Sequence, residues 1–142
     1  MKNLKTIFFL LIIFLITSCS SVPTKDEVDN ADYGESVSSS ECQMLAKTFI
    51  RNRLKDPSSA QFNSVVCYRG WLASSPIVGV PVTFGYTFGG YVNGRNSFGG
   101  YSGFTSFQGV VRDDGYGARV VRYCITDITS DTGICIPQMV NQ

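Results

Sequence analysis

The stretch SSSECQMLAKTFIRNRLKDP, residues 38–57, carries the strongest structural signal in this sequence. Ser38 and Glu41 fit a capping box, which predicts the start of a helix. The residue before a proline is pushed out of helical geometry, so the helix should end near Lys55. One apolar face is predicted, because these residues recur at helical spacing: Cys42, Leu45, Ala46, Phe49, Ile50 and Leu54.

The sequence that follows indicates β-structure. The apolar pattern changes to a period of two over Gln61–Cys67, and an Asn-Gly pair at positions 93–94 is typical of a hairpin turn. We expect two hairpins and a last short strand: Tyr86–Val92 with Ser97–Phe104, Thr105–Arg112 with Ala118–Thr126, and Gly133–Pro137. The predicted fold class is α+β, with one N-terminal helix packed on an antiparallel sheet of four to six strands.

We expect disulfide bonds to stabilise this domain. Four cysteines lie beyond residue 40, namely Cys42, Cys67, Cys124 and Cys135, and an even number in an exported domain predicts two bridges. The helix rises about 20 Å and the strand after it returns about 20 Å, which favours Cys42–Cys67 with Cys124–Cys135. The rival pairing, Cys42–Cys135 with Cys67–Cys124, stays open. No CxxC pair is present, so we expect neither a metal site nor a cofactor.

The first residues indicate export. Lys2 and Lys5 precede the apolar run Ile7–Ile16, which is shorter than the roughly 20 residues of a spanning helix and fits a signal peptide. The following LITSC resembles the lipobox of bacterial lipoproteins. That resemblance implies cleavage after residue 18, a diacylglycerol on the Cys19 sulfur and an acyl chain such as palmitate on its amine. An ordinary secretory signal with a chance cysteine is the alternative.

Three parts of the chain follow from these patterns: a signal peptide over 1–18, a lipidated Cys19 with a flexible tether over 19–40, and a single globular α+β domain over 41–142. The tether prediction rests on composition, because five acids and one lysine leave residues 20–40 too polar to bury much surface. Ser20, rather than Asp, after the lipidated cysteine favours the outer membrane in a Gram-negative cell. The predicted location is therefore the cell envelope, facing the periplasm or the surface.

The tetrapeptide FGGY occurs at Phe88–Tyr91 and again at Phe98–Tyr101. Its rings could fill the core of a curved hairpin, or form an exposed platform for sugars or for a protein interface. In the second interpretation the candidate binding surface consists of Tyr91, Asn93, Arg95, Asn96 and Tyr101.

Two segments carry a resemblance to known proteins. LKDPSSAQF (Leu54–Phe62) and YVNGRNSFGGYSGFTSF (Tyr91–Phe107) resemble a widespread family of small exported bacterial proteins with the motifs LKDPxSAxF and VNxKNSFGGYxGF. The chain differs by having Arg95 where lysine is common and Gly89 where a cysteine is often found. Because the family has no established activity, the resemblance implies a fold and little about function.

The amino-acid composition argues against several classes of function. The formal net charge of +1 argues against a nucleic-acid binder. The absence of histidine excludes Ser-His-Asp and Cys-His catalysis, and we expect a noncatalytic protein. The leading hypothesis is a lipoprotein held at the membrane by its lipid, which binds an envelope protein or a glycan such as peptidoglycan. The alternatives are an accessory subunit of a secretion, conjugation or phage-encoded envelope machine, and a periplasmic inhibitor or immunity-type protein.

Overall fold

A computed structural model describes residues 22–74, 79–126 and 138–139 of the chain. Its helices are α1 (Lys25–Asn30), α2 (Ser39–Arg51) and a 3₁₀ turn (Pro57–Ser59). Its strands are β1 (Gln61–Leu72), β2 (Thr83–Asn93), β3 (Thr105–Arg112), β4 (Arg119–Ile125) and the two-residue β5 (Gln138–Met139). The strands form one antiparallel sheet in the order β1-β2-β3-β4-β5. These elements confirm the α+β class.

Helix α2 begins as the sequence predicts and ends earlier. The Ser38 hydroxyl accepts a hydrogen bond from the Glu41 N–H at 3.2 Å. The predicted end near Lys55 is wrong, because the helix ends at Arg51 and the chain continues in a tighter turn whose N–H groups bond three residues back. This turn carries Leu54 away from the helix axis and towards Gly94, at the far end of β2.

The core lies between α2 and one face of the sheet. Its buried residues come from the helix and from all four long strands: Cys42, Ala46, Ile50, Cys67, Phe88, Val92, Phe107, Val111 and Val120, together with Val37. The Phe88 ring lies over Gly109, where an added Cβ would come within 2.2 Å of a ring carbon. A glycine is therefore required at this point of β3 by the packing of the opposing ring.

The Cys42–Cys67 disulfide joins α2 to β1, with a Cα–Cα distance of 6.2 Å. This confirms the favoured first bridge and excludes the rival pairing. Cys124 is also disulfide-bonded. Cys135 lies outside the described residues, so the Cys124–Cys135 bridge stays a prediction.

On the opposite face of the sheet, residues 72–73 and 81–83 pack against β4. Arg122 is fully buried there, and its guanidinium donates to the carbonyl oxygens of Leu72 at 3.1 Å, Pro81 at 2.9 Å and Ala73 at 2.6 Å. Burial lowers the pKa of Arg122 from its ordinary value. Arg122 thus holds these residues against β4 by hydrogen bonds to their backbone oxygens.

One predicted hairpin is confirmed and the other is wrong. β3 and β4 pair around residues 113–118, close to the predicted turn. β2 pairs instead with β3, from Tyr86↔Val111 to Val92↔Thr105, and residues 94–104 form a loop between them. Segment 97–104, which contains the second FGGY, is therefore not a strand. The predicted strand Gly133–Pro137 lies outside the described residues.

Residues 24–37, here called the N-terminal strap, differ from the predicted tether. Thr24 caps helix α1, and Tyr33 and Val37 are buried against the domain. The Tyr33 ring packs edge-on against Phe84 at 5.5 Å between centroids. The strap is mostly polar, yet two of its side chains are buried against the domain. An ion pair keeps the strap in that position.

That ion pair joins Asp32 to the guanidinium of Arg112, which also donates to the Asp32 carbonyl oxygen. The Glu35 N–H donates to the Asp113 carbonyl oxygen at 2.7 Å. The strap is therefore fixed at the end of the sheet where β2 begins and β3 ends. In the part of the chain that is described, no helix has the length and apolar character needed to cross a membrane.

Candidate functional site

The loop between β2 and β3, residues 94–104, is here called the glycine loop. It lies on a base formed by residues 54–59, which come between α2 and β1. The buried Ser59 hydroxyl accepts from the Arg95 N–H and donates to the Asp56 carbonyl oxygen, both at 2.8 Å. The Tyr101 hydroxyl donates to the Ser59 carbonyl oxygen at 3.3 Å, and Lys55 Nζ donates to Ser97 Oγ at 2.7 Å. The two segments that carry the family resemblance are thus in direct contact.

Two asparagines give the glycine loop its shape. Asn96 Oδ1 accepts from the N–H groups of Phe98 at 2.9 Å and Gly100 at 3.1 Å. Gly99 has φ 80°, a left-handed conformation that favours glycine. Asn93 Oδ1 accepts from the Gly103 N–H at 3.1 Å, and its side chain is buried. Asn93 therefore supports the loop from inside and is not part of an exposed surface.

Four exposed aromatic rings lie on or beside this loop. Phe98 is 97% exposed, while Tyr101, Phe104 and Tyr91 are each about half exposed, at 44%, 51% and 49%. The Arg95 guanidinium lies 5.6 Å from the centre of the Tyr101 ring. Of the predicted surface residues, Tyr91, Arg95, Asn96 and Tyr101 are thus exposed. Phe98 and Phe104 are exposed too and were not among the predicted surface residues, although the glycines around Phe98 indicate that no strand would bury it.

The two copies of FGGY differ in how far their rings are buried. In the first copy Phe88 is 2% exposed and lies in the core, whereas Tyr91 is 49% exposed. An added Cβ at Gly90 would meet the Phe107 ring and the Val65 backbone within 3.1 Å, so that glycine serves core packing. The second copy lies in the glycine loop and exposes its rings. A repeated tetrapeptide therefore occupies two different environments.

Four exposed cations lie in the glycine loop or in the segment that leads to its base. Arg51, Arg53, Lys55 and Arg95 are all exposed at this end of the molecule. Asp56 is the one carboxylate of the base. Hydrogen bonds from the Ser58 side chain, and then from backbone N–H groups and the nearby Arg95 charge, hold the pKa of Asp56 below its ordinary 3.8.

The opposite end of the sheet, the strap end, combines carboxylates with cations. The strap brings Asp32 there, where Arg112 pairs with both Asp32 and Asp114. The Gly34 N–H and then Arg112 hold the pKa of Asp32 below its ordinary 3.8. Among the described residues, the ion pairs outside α1 therefore lie at the strap end, and the loop-end cations have none.

The described residues contain no group of three or more side chains that could together hold a metal ion. A cleft of about 310 Å³ opens on the sheet face away from α2, and its described lining is Val66, Tyr68, Trp71, Leu72, Ala73, Thr87, Phe88, Gly89 and Gln108. This lining is mostly apolar and carries the hydroxyls of Tyr68 and Thr87 and the amide of Gln108.

The predicted lipidation site Cys19 lies outside the described residues, so its chemistry stays a prediction. No family model, no curated protein and no solved structure matches the chain.

Proposed function

We propose that this protein is a noncatalytic lipoprotein of the bacterial cell envelope, anchored through Cys19, which docks onto another envelope protein with its glycine loop. The observation that carries the proposal is the 97% exposure of Phe98 on a loop fixed by its base. Leaving a phenylalanine in water forgoes about 2 kcal/mol of burial energy, which a partner would recover. A loop already held in place loses little entropy on binding.

The strap supports an orientation for this docking. Cys19 is three residues from Val22, a reach of at most about 11 Å, so a lipid there would hold the strap end near the membrane. β2 runs from the strap end to the glycine loop, and its 11 residues span about 33 Å. The glycine loop would therefore face away from the anchoring membrane.

A protein partner fits better than a glycan. Sugars and other small ligands bind preferentially in concave sites, whereas the glycine loop is a protruding turn with one fully exposed ring. A protruding aromatic beside an arginine is typical of a protein-binding hot spot. The same protrusion would suit an inhibitor that inserts its loop into the cleft of an exported enzyme, and the identity of the captured partner separates the two.

Cross-linking in living cells tests the docking. A photoreactive residue replaces Phe98 in one strain and Tyr116 in a control strain, because Tyr116 is 93% exposed at the strap end. We expect a discrete adduct from position 98 that position 116 does not give. Equal adduct patterns from the two positions, or none from position 98 at normal expression, would refute docking through the loop.

The anchor needs its own experiment. Cells grown with a labelled fatty acid should label the wild-type protein and not a Cys19→Ala variant. An unlabelled wild-type protein in the soluble fraction would refute the lipoprotein assignment, whatever the cross-linking gives.

A further inference from the structure

Resting on the proposed function, we infer that the partner is an acidic protein, whose docking surface combines carboxylates with an apolar socket for Phe98. The inference comes from the groups that contact the cationic side chains at the glycine-loop end of the molecule. Arg51, Arg53, Lys55 and Arg95 are exposed there, and Asp56 is the one carboxylate within residues 51–59 and 94–104. Asp56 already accepts hydrogen bonds from the Ser58 N–H and the Ser58 hydroxyl, at 3.1 and 2.5 Å.

Neutral groups hold all four cations in place. The Arg53 guanidinium lies 4.2 Å from the centre of the Phe49 ring, and the Arg51 guanidinium lies 5.6 Å from that of Phe62. Lys55 donates to a serine hydroxyl, and Arg95 lies over the Tyr101 ring. Rings and hydroxyls orient a cation without neutralising it, so each of these charges is preserved for an external anion.

The strap end is arranged differently. Arg112 and Arg119 are each bound to a carboxylate, Arg112 to Asp32 and both to Asp114. Among the residues that the structure describes, every ion pair lies either at this end or within α1. Arg69 is the exception at the strap end, because it is exposed and lies 4.0 Å from the centre of the Tyr33 ring. None of the four loop-end cations forms an ion pair with a described carboxylate, so that end is complementary to negative charge from outside.

Two other anionic occupants fit less well. A second copy offers the carboxylates of its strap end, but copies anchored through Cys19 in one membrane all turn that end towards the lipid. An anionic glycan could pair with the cations, but by stacking it would cover only one face of the Phe98 ring, which is 97% exposed. An acidic protein surface satisfies both the charges and the ring.

Charge reversal tests the inference. A photoreactive residue at the exposed Ser102 reports docking, and Arg95→Glu or Lys55→Glu is added to the full-length chain in cells. Lys25→Glu is the matched control, because its side chain is 85% exposed and lies at the strap end. We expect each loop-end reversal to lower the yield of the partner adduct at least about tenfold, and the control to leave it within about twofold.

The same membranes give two further measurements. Raising salt from about 0.05 to 0.5 M should weaken the wild-type adduct, and mass spectrometry should identify a partner with acidic residues at the cross-linked site. An adduct that persists unchanged in both loop-end variants refutes the acidic partner and leaves docking intact. An adduct with a second copy, or one removed by glycan digestion, refutes it as well. No adduct from the wild-type chain at Ser102 or at position 98 refutes docking itself.

Discussion

The Ser59 hydroxyl links the glycine loop to its base. It is 7% exposed and makes two hydrogen bonds of 2.8 Å, one from the Arg95 N–H and one to the Asp56 carbonyl oxygen. Ser59→Ala removes both. Each hydrogen bond contributes about 1 kcal/mol net, and a partly buried N–H left without an acceptor adds a further cost. We expect a loss of about 2–3 kcal/mol in the free energy of unfolding.

Urea denaturation of the purified chain measures this loss as a lower midpoint with an unchanged slope. Ser97→Ala is the matched control, because it also removes one hydroxyl contact in the loop but at an exposed position, and should cost less than about 0.5 kcal/mol. A Ser59→Ala variant within about 0.5 kcal/mol of the wild type would refute the argument that this hydroxyl braces the loop. Faster exchange of the Arg95 amide hydrogen in that variant would locate the change.

Three further predictions concern the rest of the domain. Arg122→Ala should lower the free energy of unfolding by about 3 kcal/mol in urea titrations, because it leaves several buried carbonyl oxygens unpaired. Replacing Cys42 and Cys67 by alanine should cost about 3 kcal/mol, measured as a lower melting temperature, because the bridge closes a loop with a sequence separation of 25. The pKa of Asp32 is lowered in the folded state, so its contribution is present above pH 3.8 and is lost as the pH falls through the folded pKa. Amide NMR signals of residues 33–37 should report release of the strap in that acidic range, and Asp32→Asn should abolish the transition.

Some features were predictable because neighbouring residues determine them. The start of α2 follows from Ser38 and Glu41, which are three residues apart, and the β3–β4 hairpin follows from two short strands around one turn. The Cys42–Cys67 bridge could be predicted for a related reason, because its geometry depends only on the length of one helix and of the strand that follows it.

The prediction of the first hairpin was wrong because contacts between residues far apart in the sequence outweigh the local turn signal. Asn93-Gly94 is typical of a two-residue turn, yet Asn93 accepts from Gly103 across the loop, and Gly94 packs against Leu54, 40 positions earlier. The strand therefore runs on to Asn93, and the second FGGY is left in the loop. Its partner motif at residues 54–59 could not be placed against it from sequence spacing.

The start of α2, the β-rich second half and the first bridge could be predicted from the sequence. Each of these depends on residues at most about 25 positions apart, where periodicity, caps and chain length restrict the geometry. Only the folded structure shows that residues 54–59 meet the glycine loop, that the strap docks, and that Phe98 is exposed while Phe88 is buried. Those outcomes depend on which surfaces meet after folding. Two buried side chains in the strap outweigh its polar composition only because the sheet supplies a site for them.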